Sequence, residues 1–310
     1  MGEEIAFIAE RVKELQADRE HGASWLARAA AVALRDLAMA EGVAADRLVD
    51  QLRVAGRMLA GARPSMAALV ATVSQVLAPL TRADLHDTRA IVAAVRQEAD
   101  IVLASWEEAA TKIAEHARPL LQGRLLTHSS SATVLRVLQS CREQLEQVIV
   151  TEARPGYEGR ATAARLAGMG IPVTLITDAQ AGIFLPGCSA LVLGADSILG
   201  SGAVINKVGS ALFARAARAS RVPCYVLSET FKIGPGARCA GAQLEEMAPD
   251  EVLAEPPPGV TPRNIYFDCL PGSLVTCIIT ERGPLSRSTI ASQSRLVRQR
   301  ARKLGLIAAT

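Results

Sequence analysis

The chain has 310 residues, of which 50% are hydrophobic, 21% charged and only 3% aromatic, and its formal net charge is +3. That length holds one large domain or two ordinary ones, with a core built mostly from Ala, Leu, Val and Ile. So small a charge with so few rings argues against nucleic acid as a partner, and no apolar run is long enough to argue for a membrane span.

The N-terminus, Met1-Gly2-Glu3-Glu4, has neither a basic region nor a long apolar run, so a cytoplasmic protein without a signal peptide is expected. The six cysteines, Cys141, Cys188, Cys224, Cys239, Cys269 and Cys277, form no CxxC pair and no Cys/His cluster with zinc spacing. Several lie in apolar runs, which suits reduced, buried thiols. No metal and no cofactor are expected.

Residues 1–118 read as a helical domain. Ile5, Ile8, Val12 and Leu15 recur at helical spacing, and the run from Ser24 to Leu34 is rich in strong helix formers. Asp46 to Met58, Met66 to Leu77 and Ala83 to His116 continue the helical period, with Pro64 placed where a helix can begin. Residues 119–310 change period. Strand-length apolar runs at 125–127, 148–151, 173–176, 191–193, 224–227 and 274–279 alternate with helical patterns at 131–145, 158–169 and 205–220. Such alternation predicts an α/β fold, a mostly parallel, Rossmann-like sheet domain covered on both faces. The Pro-rich stretch from Pro235 to Pro262 reads as a long irregular excursion. The basic segment Arg295 to Lys303 reads as a solvated helix face.

In a doubly wound sheet, ligands meet the loops that follow the strands. The most informative such stretch is Leu191 to Ile198, an apolar strand that closes on Asp196. A glycine-rich turn then delivers Asn206 and Lys207 to what reads as the start of a helix. A carboxylate beside a helix N-terminus and a lysine suits an anionic ligand with a polarisable centre. The other loops offer His128 with Ser129 to Ser131, then Glu152 and Arg154, Asp178 and Gln180, Ser228, Glu229 and Lys232, and Glu281. Ser129 to Ser131 read either as ligand donors or as a helix N-cap. Glu152 and Arg154 read either as ligand groups or as a structural ion pair. Asp178 reads as a cap or a site residue, Lys232 as a ligand or a solvated lysine, and His128 as a hydrogen-bonded structural histidine or a ligand.

Taken together, these residues resemble the initiation factor 2B alpha/beta/delta family. The resemblance is carried in order by His21-Gly22-Ala23-Ser24, Ala62-Arg63-Pro64-Ser65, Leu126-Thr127-His128-Ser129, Val150 to Pro155, Gly194-Ala195-Asp196, Ile205 to Gly209, Glu229-Thr230-Phe231-Lys232 and Ile279 to Gly283. That family includes ribose-1,5-bisphosphate isomerase and methylthioribose-1-phosphate isomerase alongside regulatory subunits of the translation factor. The resemblance implies a helical N-terminal domain, a Rossmann-like C-terminal domain, and a homodimer or higher homo-oligomer. It also implies a phosphorylated sugar or nucleoside phosphate as ligand. In the isomerases a cysteine and an aspartate move the hydrogens while Arg, Asn and Lys hold phosphate and sugar oxygens. Asp196 matches the aspartate. Gly22, Ala23, Ser24, Arg63, Ser131, Asn206, Lys207 and Lys232 match ligand-holding positions.

By the same resemblance, Ser129 stands where the isomerases carry their cysteine, His21 where the bisphosphate enzymes carry an arginine, and Ala132 in place of a lysine. A serine hydroxyl is far less acidic than a thiol and needs an adjacent base. His128 is its neighbour in sequence, yet adjacent strand residues face opposite ways. Two readings follow. One is an aldose–ketose isomerase acting on a pentose phosphate or bisphosphate through Asp196 and Ser129. The other is a non-catalytic regulatory or translation-initiation-factor-2B-like subunit that senses a phosphorylated metabolite.

Overall fold

The computed structural model describes residues 3–18, 21–39, 43–82, 87–240 and 244–308. The first residues of the helical stretch expected from Ala83, and Met1 with Gly2, lie outside them. Five helices open the chain: α1 (Glu3–Ala17), α2 (Ala23–Ala38), α3 (Ala45–Ala60), α4 (Ala67–Val76) and α5 (Thr88–Ala117). Helix α2 buries Ala23, Ala27, Ala30, Ala31, Ala33 and Ala38, and these short side chains let α4 and α5 approach it closely. Helix α5 is capped by Asp87, whose carboxylate accepts the Ala90 N–H. Its 30 residues extend about 45 Å at 1.5 Å per residue.

The sheet begins at residue 123. In chain order follow β1 (Gly123–Thr127), α6 (Ala132–Ser140), β2 (Leu145–Thr151), α7 (Glu158–Gly168), β3 (Val173–Ile176), α8 (Ala181–Phe184) and β4 (Ala190–Leu193). Then come β5 (Ser197–Ile198), β6 (Val204–Lys207), α9 (Ser210–Ala219), β7 (Cys224–Leu227), β8 (Phe267–Leu270), β9 (Cys277–Thr280), β10 (Gly283–Pro284) and α10 (Arg287–Lys303). Seven strands form one sheet in the order β10-β9-β7-β4-β1-β2-β3, parallel except for the β10–β9 hairpin. From β1 the chain winds outward through β2 and β3, then returns to the other side of β1 with β4, β7 and β9. The order therefore reverses between β1 and β4, and that switch point opens a crevice beyond the strand ends.

The stretch expected to be one helix from 205 to 220 divides in two. Val204 to Lys207 form β6, which pairs antiparallel with β5 and with Phe267–Leu270 of β8. Gly209, at φ 105°, then turns the chain into α9, where the Asp268 carboxylate accepts the Gly209 N–H at 2.9 Å and the Ala211 N–H at 3.1 Å. Asn206 and Lys207 thus end a strand and do not begin a helix. β-branched Val204 and Ile205 favour that strand, and their partner β8 lies some sixty residues away. The expectation of reduced thiols holds for Cys141, Cys188, Cys224 and Cys277. It fails for Cys239 and Cys269, which form a disulfide tying the irregular excursion to β8.

The helical core includes Leu199, Ala203, Ile205 and Phe267 from the small sheet and Leu304 after α10, so packing crosses from one half of the chain to the other. Among the described residues, no helix is long and apolar enough to cross a membrane, and no group of three or more His, Cys, Asp or Glu is placed to hold a metal ion.

Candidate functional site

The crevice at the switch point is a cleft with two connected lobes of about 340 Å³ and 270 Å³, both bounded by His21, Gly22, Ser129, Ser130 and Asp196. Its floor is the pair of loops leaving β1 and β4. After β1, His128 is buried and fixed. Its Nε2 lies 2.9 Å from the Val208 carbonyl, which can only accept, so Nε2 carries the proton and Nδ1 accepts from the Thr151 hydroxyl at 2.6 Å. Burial pushes the His128 pKa down and keeps the ring neutral. His128 is a structural histidine here, and its two nitrogens are both occupied away from Ser129.

Ser129 has a left-handed backbone at φ 67°, and Thr162 of α7 holds this turn by donating to the Ser129 carbonyl at 3.0 Å. The turn aims the Ser129 hydroxyl across the cleft at Glu158, the first residue of α7, to whose Oε1 it donates at 2.8 Å. The same oxygen pairs with Lys207 Nζ at 2.8 Å, and that ammonium lies 3.5 Å from the centre of the Tyr266 ring. Ser131 caps α6, its Oγ accepting the Val134 N–H at 3.3 Å, and still lines the cleft. Gly194 is required beside it: a Cβ there would stand 2.7 Å from Ser131 Oγ.

Asp196 follows Gly194 and Ala195. Its main-chain N–H donates to the Ile205 carbonyl at 2.9 Å, while its half-buried carboxyl makes no hydrogen bond among the described residues. Burial raises its pKa above the ordinary value, against the opposing pull of Lys232, Lys207 and Arg63. A carboxyl in that condition donates a proton more readily at neutral pH than an exposed one does.

Each expected cation is present and already paired. Arg63, buried, makes a two-pronged contact with Glu245, Nε at 2.9 Å and Nη2 at 2.8 Å, and donates through Nη1 to the Asp18 carbonyl at 3.2 Å. Lys232 pairs with Glu229 at 3.0 Å, and Glu229 accepts from Thr133 at 2.6 Å. Burial pushes Glu229 up, but Lys232 and Thr133 outweigh it and hold that carboxyl below its ordinary value. Asn206 donates to Ser210 at 2.8 Å. Gly22, Ala23 and Ser24 bring the N-terminus of α2 to the second lobe, where Ser24 reaches Glu229 at 3.4 Å. His21 is held by Asp18 at 2.8 Å and stacks on Trp25, with ring centres 4.1 Å apart.

The ion pair considered for Glu152 and Arg154 does not form. Glu152 pairs with Arg160 at 2.9 Å, because α7 brings Arg160 back over the strand end. Arg154 instead donates to the Tyr157 hydroxyl and the Val252 carbonyl. Asp178 accepts the Ala153 and Arg154 N–H groups and so holds that loop. Glu281 accepts from the Thr230 N–H at 3.0 Å and hydroxyl, which positions the turn carrying Lys232. Sequence reasoning passed over Glu158, Glu245 and Tyr266. Glu158 stands 29 residues from Ser129 and reads as an ordinary first-turn acid; only the geometry joins the two.

Residues 19–287 match the model of the initiation factor 2 subunit family. A putative translation initiation factor eIF-2B subunit 2-like protein of Pyrococcus horikoshii is 33% identical over 280 residues, covering 89% of this chain and 95% of its own. Ribose 1,5-bisphosphate isomerase of Thermococcus kodakarensis is 32% identical over 296 residues, covering 90% of both chains. The crystal structure of translation initiation factor eIF-2B of P. horikoshii superposes with a TM-score of 0.77 at 32% identity, covering 90% of this chain and 96% of that one. 5-Methylthioribose 1-phosphate isomerase of the same organism, at 23% identity, shares the fold with a TM-score of 0.74 over 96% of this chain and 87% of that one. With its helical N-terminal segment, its doubly wound sheet and this matched span, the chain belongs to the initiation factor 2 subunit family.

Proposed function

We propose that this protein binds a phosphorylated pentose in the switch-point cleft and interconverts its aldose and ketose forms. The observation that carries this reading is the meeting of Asp196 and Ser129 in one cleft with Arg63, Asn206, Lys207 and Lys232 around them. Moving hydrogen between adjacent carbons needs a proton donor at an oxygen, a proton acceptor at carbon, and cations that fix a phosphate so the geometry persists. Asp196 supplies the donor, and Ser129 occupies the place of the cysteine in the isomerases. The lysines and Arg63 hold phosphate and sugar oxygens, and the N-termini of α2 and α6 add backbone donors. The assembly is a homodimer or larger, as closed symmetric oligomers commonly are.

A second reading has one observation in its favour. Arg63, Lys207 and Lys232 each already hold a carboxylate, so ligand phosphate must displace Glu245, Glu158 or Glu229. Such displacement is how a sensor of a phosphorylated metabolite, regulatory and non-catalytic, transmits occupancy. NMR of ribose 1,5-bisphosphate with the purified protein over hours separates the two. New ketose signals are expected; broadened ligand lines without product favour the sensor, and an unchanged spectrum excludes this ligand.

A further inference from the structure

We infer that Glu158 is the carbon base of this cleft, the group that takes the C2 proton of the sugar. This deepens the phosphosugar reading above and rests on it. Four features point there. Glu158 lines the same lobe as Ser129, Asp196, Arg63 and Lys207, on the first turn of α7. Both of its close partners, Ser129 Oγ and Lys207 Nζ, contact one oxygen, Oε1, which leaves Oε2 without a hydrogen bond among the described residues. The Ser129 hydroxyl donates a hydrogen bond to Glu158, so the serine acts as a positioning residue. His128, the other nearby group with basic nitrogens, is committed to Thr151 and Val208.

The step balances without oxidant or reductant. In a cyclic sugar 1-phosphate, Glu158 Oε2 takes the C2 proton. The C2–H electrons form the C1=C2 bond, the C1–O4 ring bond breaks, and O4 takes a proton from the Asp196 carboxyl. In the return step the O2–H proton goes back to Asp196 and the C2 carbonyl forms. C1 then takes the proton held by Glu158, and both carboxyls are restored. When Glu158 is protonated its charge no longer neutralises Lys207, so that ammonium is free to face the developing enolate oxygen.

The test is turnover of ribose 1,5-bisphosphate in D2O, followed by NMR, with binding measured in parallel by calorimetry. Glu158→Gln is expected to lose turnover by about 100-fold or more, the usual contribution of a positioned base, while its Kd stays within about threefold. Glu158→Asp is expected to recover part of the rate. Ser129→Ala is expected to slow the reaction about tenfold, by loosening Glu158. Product from the wild type is expected to carry at C1 the hydrogen taken from C2, with solvent deuterium there only to the extent that the proton held by Glu158 exchanges before it returns to carbon. Turnover that survives in Glu158→Gln but vanishes in Ser129→Ala overturns the assignment and leaves the isomerase reading standing. Wild-type binding without turnover also overturns it, leaving a binding protein. Absence of both binding and turnover overturns the phosphosugar reading and the assignment with it.

Discussion

Asp196 combines a functional gain with a structural cost. Burial raises its pKa, so the folded protein holds the Asp196 proton more tightly than the unfolded chain does. Its contribution to stability is therefore complete below the unfolded carboxylate value of about 3.9 and is lost as pH rises through the raised folded value. At higher pH the cleft floor carries an ionised carboxylate with no hydrogen-bond donor of its own. Asp196→Asn removes that penalty and the proposed proton donor together. The variant is expected to lose turnover by about 100-fold or more while binding the sugar phosphate nearly as well. Urea unfolding is expected to show a stability advantage over wild type that is larger at pH 8 than at pH 4. An equal advantage at both pH values would mean that the carboxyl does not titrate differently on folding. Asp196 is legible in the sequence because an apolar strand ends on it. Glu158 is not, because its meaning depends on where a helix 29 residues away returns to β1.

The elements place these groups through close backbone approaches. Gly159, next to Glu158 on α7, faces the end of β2 so tightly that a Cβ would lie 1.8 Å from the Thr151 carbonyl oxygen and 2.9 Å from the Glu152 carbonyl carbon. No side-chain rotation relieves a clash between backbones, so Gly159→Ala must push α7 off the sheet. The expected cost is about 3 kcal/mol in denaturant unfolding, since overpacking of this kind falls at the upper end of single-residue effects. Because the same turn carries Glu158, turnover should fall alongside stability. Wild-type stability in this variant would contradict the close packing described. At this scale the six expected strands were readable, since each buried strand is a short apolar run between turn signals. The error over 205–209 arose where Val204 to Lys207 present a strand-like run just before Ser210 begins a helix. Which state wins is decided by pairing with β8, and that pairing has no local signature.

The helical half and the sheet half interlock, which the composition does not reveal. A boundary near residue 118 was expected from the change in period, and the helices do give way to the sheet between Leu120 and Gly123. The packing does not divide there. Helix α10 returns from the sheet to lie on α4, and Ser294 donates to the Gly234 carbonyl at 2.7 Å while Arg298 donates to that of Pro235 at 2.8 Å. Leu199, Ile205, Phe267 and Leu304 enter the helical core, and Trp106 of α5 packs on Phe231 with ring centres 4.7 Å apart. The cleft itself is shared: α2 and Arg63 come from the helical half, and Ser129, Asp196 and Lys232 from the sheet. Two halves joined only by a linker would unfold separately, whereas halves with a common core should lose structure together. Both tryptophans, Trp25 and Trp106, lie in the first 118 residues, so their fluorescence reports the helical half, while far-UV circular dichroism reports helices throughout. Urea titrations followed by the two signals are expected to coincide in midpoint and slope. A variant ending at Leu285, which lacks α10, strips the cover from α4 and should lower both midpoints together. If fluorescence and dichroism separate in the wild type, the two halves are independent units and the cleft between them is held by weaker contacts than the shared core implies.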